Sequence, residues 1–359
     1  MQKQRFLALD VMRGLTLALM ILVNTPGSWS HVYPPLLHAD WHGVTPTDFI
    51  FPFFLFMVGA AMVFAGKSLA TLSVSARAMK IVRRTLLIFL IGVLLNWFPF
   101  TQSLAELRIP GVLQRIALAY FFAAWIVLYV PRLWRYLLIA ILLFGYWALL
   151  LTVPDPYGLE TSLVRQLDLA LLGENHLWQG KGLVFDPEGV LSTLPSIASV
   201  LFGYEVTRFL MESSNRSRAQ RQLLGAGLIL SIAGILWHGI FPLNKYLWTS
   251  SFVLLTSGVA ILVLLALARL ESLPILRKPF AAFQMLGQNP LFIYALSILW
   301  ANSLWRIPVA NTSAYEVGFE FLSRFASPMN ASLIFALLNV ALLWLVAWWL
   351  DRRKIVIAL

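Results

Sequence analysis

The chain has 359 residues, of which 60% are hydrophobic and 12% charged. A soluble globular domain carries roughly 25% charged residues, so a water-soluble fold is excluded. The lack of cysteine excludes a disulfide scaffold, thiol catalysis, cysteine-ligated zinc and iron–sulfur clusters. The net charge of +11 does not point to nucleic acid, because the lysines and arginines fall between apolar segments rather than in one aromatic-interleaved patch.

About 20 apolar residues span a bilayer. In chain order, the segments that qualify are 6–24, 46–66, 83–100, 111–130, 136–153, 189–209, 223–241, 248–268, 288–304 and 328–350. The expected fold class is therefore all-α: one integral membrane domain over 1–359, with about ten transmembrane helices and the lipid bilayer as its constant partner. With the N-terminus placed in the cytoplasm, 19 of the 27 cations fall on the inner side, 6 on the outer side, and Arg13 and Arg115 within spans. That asymmetry predicts both termini in the cytoplasm. The first span contains Asp10 and Arg13 with no small-residue cleavage site after it, which argues against a removable signal. The setting expected is a bacterial inner membrane.

Charged and polar residues inside spans are costly and mark candidate sites. Asp10 and Arg13 stand three apart on the first helix and share a face, either as a functional pair or as an ion pair that fixes packing. Asn24 ends that helix. The following loop carries His31, His38, Asp40 and His42, three of the chain's five histidines, and Asp48 follows the helix start Thr45-Pro-Thr. Capping is one role for Thr45 and Asp48. Orienting an imidazole as a base or nucleophile is another role for Asp40 or Asp48. A metal is not expected, because Gly43 and Pro46 break the helix that a His38/His42 ligand pair needs. Arg108 lies just before the fourth span, and Gln114 and Arg115 fall inside it. They suit an anion or polar substrate, or serve as partners to Asp48 or Asp10. Asp186 and Glu188 precede the sixth span, and Asn244–Ser251, with Ser250, is a short turn dense in hydrogen-bonding groups. Gly287-Gln-Asn-Pro290 opens the ninth span with Asn289 and free backbone N–H groups. The 14 tryptophans read as interfacial belts. No Walker A, GxGxxG, HExxH or GxSxG motif is present, which argues against ATP-driven transport.

Seven motifs in order resemble the heparan-α-glucosaminide N-acetyltransferase family: Leu9-Asp-Val-Met-Arg-Gly-Leu-Thr16, Met20-Ile-Leu-Val-Asn24, His38-Ala-Asp-Trp-His-Gly-Val-Thr-Pro-Thr-Asp48 with Phe51-Pro-Phe-Phe54, Arg108-Ile-Pro-Gly-Val-Leu-Gln-Arg115, Phe185-Asp-Pro-Glu-Gly189, Asn244–Ser251 and Gly287–Tyr294. The resemblance implies transfer of acetyl from cytosolic acetyl-CoA to the amine of an amino sugar across the membrane, with acetyl-CoA as co-substrate and a homodimer. It implies that His38 is the active histidine and Asn24 a functional asparagine. His42 departs from the animal pattern, which has Asn there, and the lumenal N-terminal domain of the lysosomal members is not in this sequence. Some bacterial relatives are described instead as N-acetylglucosamine-related transporters.

The residues fit that chemistry. His38 would take the amine's proton or carry the acetyl group as an acyl-imidazole. Asp40 or Asp48 would fix its tautomer, and Asn24 would donate to the thioester oxygen. Binding of the two substrates is expected from Asp10, Arg13, His42, Arg108, Gln114, Arg115, Glu188, Ser250 and Asn289. The coenzyme's phosphates would meet Arg83, Arg84, Arg277 and Lys278. Two competing readings use the same residues: an amino-sugar transporter with Asp10, Arg13, Gln114 and Arg115 binding substrate or protons, and a membrane scaffold without chemistry, which the in-span charges disfavour.

Overall fold

The computed structural model describes residues 6–357, so Lys3 and Arg5, two of the counted cations, lie outside the described residues. The helices are α1 (Leu7–Asn24), α2 (Ile50–Ala70), α3 (Val74–Trp97), α4 (Val112–Tyr129), α5 (Arg132–Leu150), α6 (Leu163–Leu172), α7 (Thr193–Glu212), α8 (Arg216–Trp237), α9 (Ser250–Leu270), α10 (Arg277–Gln288), α11 (Pro290–Arg306), α12 (Ala314–Ser323) and α13 (Pro328–Arg352). Two strands, β1 (Pro308–Val309) and β2 (Thr312–Ser313), pair antiparallel with Pro308 opposite Ser313. The protein is an all-α polytopic membrane protein, as expected.

Each of the ten expected spans corresponds to one helix, and seven of these helices are long and apolar enough to cross a bilayer. The other three differ for identifiable reasons. Helix α3 starts at Val74 rather than near 83, because Ser73 caps it by accepting from Ala76 N at 3.3 Å. Arg77, Lys80, Arg83 and Arg84 therefore ride on the helix instead of a loop. Helix α7 carries Glu205, Arg208 and Glu212, and α11 has 17 residues. The short helices α6, α10 and α12 were not among the expected elements; each is too short to span.

Contacts divide the chain into two compact units. The first contains the described chain up to Ala39, Thr45–Ile50 and the described chain from Val263 onward. Within it α1 packs most extensively on α10. The cause is the absence of two side chains. A Cβ on Gly14 would lie 1.7 Å from the Phe283 carbonyl oxygen, and one on Gly287 would lie 2.2 Å from that of Asp10. Backbone thus meets backbone, the close approach that small residues permit in membranes.

The second unit holds Asp40–Val44 and Phe51–Leu262. The same device joins α2 to α7: a Cβ on Gly59 would lie 1.8 Å from Val200 O, and one on Gly203 would lie 1.8 Å from Phe56 O. A core of Tyr146, Leu150, Val164, Phe185, Leu191, Phe241 and Leu247 gathers residues of α5, α6 and the segments before α7 and α9. Beside it Glu205 of α7 accepts from Arg135 at 2.6 Å and from Arg208 at 2.7 Å, all three being buried. Arg135 and Arg208, two of the cations assigned above to the inner side, are members of an internal ion network.

Gly287→Ala should destabilise the protein by about 2 kcal/mol, the usual scale of overpacking where backbone cannot move aside. Gly225→Ala on α8, where a Cβ meets nothing within 4 Å, should be neutral or stabilising by about 0.5 kcal/mol. Thermal unfolding of both variants in detergent separates the two effects.

Candidate active site

In the first unit, the turn Pro46–Phe49 before α2 sets a carboxylate under His38. Pro46 supplies the fixed φ of a first helical position, and Asp48 follows two residues later at 0% exposure. Its Oδ1 lies 2.7 Å from His38 Nδ1. Its Oδ2 accepts from Ala39 N at 3.1 Å and Thr45 N at 2.9 Å. The Thr45 hydroxyl donates to Leu37 O at 2.6 Å and sits 3.2 Å from the same carboxylate oxygen. Asp48 therefore ties both ends of the 38–45 loop together and performs the expected capping and the expected orienting at once. An ionised carboxylate only accepts, so the His38 proton resides on Nδ1 and Nε2 carries the lone pair. The His38 side chain is 38% exposed. An imidazole held by a carboxylate and reachable from solvent is an arrangement that suits a base or nucleophile.

Asp40 does not orient His38. It is fully exposed and pairs with Lys181 at 2.9 Å in the second unit. The hydrogen bond and charge of Lys181 hold its carboxyl below the usual range. His42 likewise belongs to the second unit, where its Nδ1 accepts from Asn244 Nδ2 at 3.3 Å. Burial, and then the charge of His238, lower its pKa. The 38–42 stretch is not helical, and Gly43 takes φ +97°, donating to Leu243 O at 2.8 Å. Among the described residues no three His, Asp or Glu side chains are grouped to hold a metal ion.

The remaining candidates of the first unit lie elsewhere in it. Asn24 is exposed at the end of α1, the helix that contacts the Pro46–Phe49 turn. Arg13 Nη1 donates to Asp10 Oδ1 at 3.0 Å and to Gly287 O at 3.2 Å, binding α1 to the α10–α11 junction. Asn289, at the same junction, spends its amide on the segment after α13: Nδ2 donates to Ile355 O at 3.1 Å and Oδ1 accepts from Ile357 N at 2.7 Å.

In the second unit the candidates form a polar network around residues 185–192. Arg108 is bidentate to Asp186, both bonds 2.8 Å, and donates to Glu188 at 2.7 Å. Burial disfavours its charge, but these hydrogen bonds and charges outweigh that and raise its pKa. Arg115, 1% exposed, donates through Nη2 to Gly189 O at 3.0 Å and to Ser192 Oγ. Its guanidinium lies 5.2 Å from the Trp248 ring centre. Gln114 donates to Ile109 O at 2.9 Å and Ser250 to Leu143 O at 2.7 Å. Arg115 therefore partners neither Asp10 nor Asp48. Trp248 is wholly buried, an exception to the interfacial reading of the tryptophans.

Sequence reasoning missed Asp168, Tyr146 and Ser192, which complete this network. Asp168 and Val164 stand four apart on α6 and are both buried. An apolar stripe interrupted by an acid was the available signal.

The geometry defines a multi-pass helical membrane protein with a buried carboxylate–histidine pair next to a helix start. The family profile described as Heparan-alpha-glucosaminide N-acetyltransferase, catalytic, matches residues 5–248, and the chain belongs to that family. It is 28% identical to the mouse heparan-alpha-glucosaminide N-acetyltransferase over 323 residues, covering 73% of this chain and 49% of the relative. The human protein of the same name is 28% identical over 324 residues, with 73% and 48% covered. The chain thus spans about half the length of the curated relatives it matches.

Arg108→Ala would leave Asp186, at 0% exposure, with backbone donors alone. A loss of about 3 kcal/mol is expected, as for other broken buried pairs. Unfolding midpoints, with Asp40→Ala as a variant that changes nothing measurable, check this.

Proposed function

We propose that this chain is an acyl-CoA-dependent N-acetyltransferase that moves acetyl from cytosolic acetyl-CoA to the amine of an amino sugar on the far side of a bacterial inner membrane, working as a homodimer with both termini in the cytoplasm. The observation that carries the reading is the 2.7 Å contact of His38 with a fully buried Asp48, in a chain of this family.

The residues divide the work by what they can hold. Asp48 fixes the proton on His38 Nδ1 and stabilises the imidazolium when it forms. His38 Nε2 takes a proton from the acceptor amine as the amine nitrogen bonds to the thioester carbonyl carbon. The carbon–sulfur bond breaks, the coenzyme sulfur leaves with the electron pair, and His38 returns the proton to it. The products are the N-acetyl sugar and the free thiol, with atoms and charge balanced. Asn24, exposed at the end of α1, is suited to donate to the carbonyl oxygen as negative charge develops. The basic start of α10, Arg277 and Lys278, suits the coenzyme phosphates. Arg108, Gln114 and Ser250 are engaged by their own chain, which suits them to positioning rather than direct substrate contact.

The test is thiol release by the purified full chain with acetyl-CoA and a panel of amino sugars. A thiol-reactive dye is clean here, because the protein has no cysteine. His38→Ala should lower the rate by about 10²-fold or more. Asp48→Asn should lower kcat with little change in KM, and Asp40→Ala should leave both unchanged. Wild-type release no faster than that of His38→Ala would overturn the proposal, and sugar flux into proteoliposomes without coenzyme would favour transport instead.

A further inference from the structure

One buried carboxyl of the second unit has no part in the His38–Asp48 pair. Asp168 sits on α6 four residues after Val164, and both are at 0% exposure. The helix therefore presents Asp168 on the face that meets the aromatic and aliphatic core around Tyr146, Phe185 and Leu191. Its Oδ1 accepts from Val190 N at 2.8 Å. Its Oδ2 is buried without a hydrogen-bond partner. Gly189 makes room for that oxygen, since a Cβ there would lie 1.8 Å from Oδ2.

The peptide group between Gly189 and Val190 is held from both sides. Its N–H donates to Asp168, and its carbonyl accepts from Arg115 Nη2 at 3.0 Å. Arg115 Nε and Nη1 are also buried without a partner. A carboxyl oxygen without a donor and guanidinium N–H groups without an acceptor thus flank one peptide group. An ionised carboxylate buried here needs donors at both oxygens, and only one is in place. A neutral carboxyl costs less here: Oδ1 takes the Val190 N–H, and a proton on Oδ2 removes the charge even though that hydroxyl lacks an acceptor. Charge balance agrees. Asp186 and Glu188 both pair with Arg108, and these two acids together with Arg108 and Arg115 sum to zero charge, so an ionised Asp168 would leave the group net negative.

We propose that Asp168 is a proton-binding site. It holds a proton on Oδ2 in the arrangement seen here. Release of that proton creates an acceptor for the unpartnered Arg115 N–H groups and so pulls on the Gly189–Val190 peptide and the 185–192 loop. The groups facing it are Arg115 on α4, Tyr146 on α5, and Asp186 and Glu188 in the loop. The Glu174–His176 turn packed against α6 turns its His176 Nδ1 to Leu107 O at 2.7 Å and leaves Glu174 exposed. Burial pushes the Asp168 carboxyl up to about 7, with Asp186 adding and the Val190 N–H and Arg115 opposing. The site is thus placed to exchange its proton near neutrality, and it does so whether or not the chain transfers acetyl groups.

Infrared titration of the full chain in detergent reads the site directly. A protonated-carboxyl C=O band should be present in mildly acidic buffer and disappear as the pH rises through about 7. The band should shift when aspartate is labelled with carbon-13 at the side-chain carboxyl, which identifies the residue type without any substitution. It should be missing in Asp168→Asn. Linkage supplies a second readout. A carboxyl whose pKa is raised in the folded state loses stability as the pH climbs from its unfolded value, about 3.9, to the folded one, and the contribution is level above that. The wild-type unfolding midpoint should therefore fall relative to Asp168→Asn over that window. If Asp168→Asn does not fold, the labelled wild-type band decides alone. No aspartic-acid band titrating near neutrality, or one retained in Asp168→Asn, would overturn the proposal.

Discussion

The candidate site depends on one carboxylate accepting from three directions. Asp48 has no exposure; backbone N–H groups of Ala39 and Thr45 and the His38 ring bond to it. A buried carboxylate is costly unless such donors are present, so the 38–45 loop has to close on it, and closing the loop aims His38. The direction of the His38 ring and the closure of the loop are here the same set of bonds. This is why a residue readable as a plain helix cap also orients the imidazole: the cap and the orienter use different oxygens of one side chain.

The two units contain their other charges by similar local means. Arg13 is neutralised by Asp10 and tied to the Gly287 carbonyl. Glu205 is held between Arg135 and Arg208. Arg108 is held by Asp186 and Glu188. Lipid offers no water to satisfy an isolated charge, and each of these is matched by a partner within its own unit. Glycine contacts bring the helix backbones close, and ion pairs fix chosen points along them.

Much of this was legible in the sequence because the bilayer imposes a simple code. Apolar length located every long helix, and the Asp10/Arg13 spacing gave their pairing. The start of α3 was misread, since four cations suggested a loop while Ser73 supplied a cap upstream of them. His38 was legible from its motif, and Asp48 from the turn Thr45-Pro-Thr. Which acid orients His38 was left open between Asp40 and Asp48, because a loop carries no periodicity that fixes side-chain direction; the structure settles that contact on Asp48. Asp168 was hidden for a different reason. It lies in a long connecting segment on a ten-residue helix, and its partner Val190 is 22 residues away, beyond any local pattern.

Arg108, Gln114, Glu188 and Ser250 each read as a candidate substrate contact because each is polar near or within an apolar segment. In the structure each is bonded to its own chain at 2.7–2.9 Å. A group so engaged can bind a ligand only by giving up a buried bond, at the expense of leaving its partner unsatisfied. His38 differs, since Asp48 uses Nδ1 and the ring remains more than a third exposed. Around the 185–192 loop, the buried side-chain atoms without a hydrogen-bond partner belong to Asp168 and Arg115 rather than to the ion pairs that surround them.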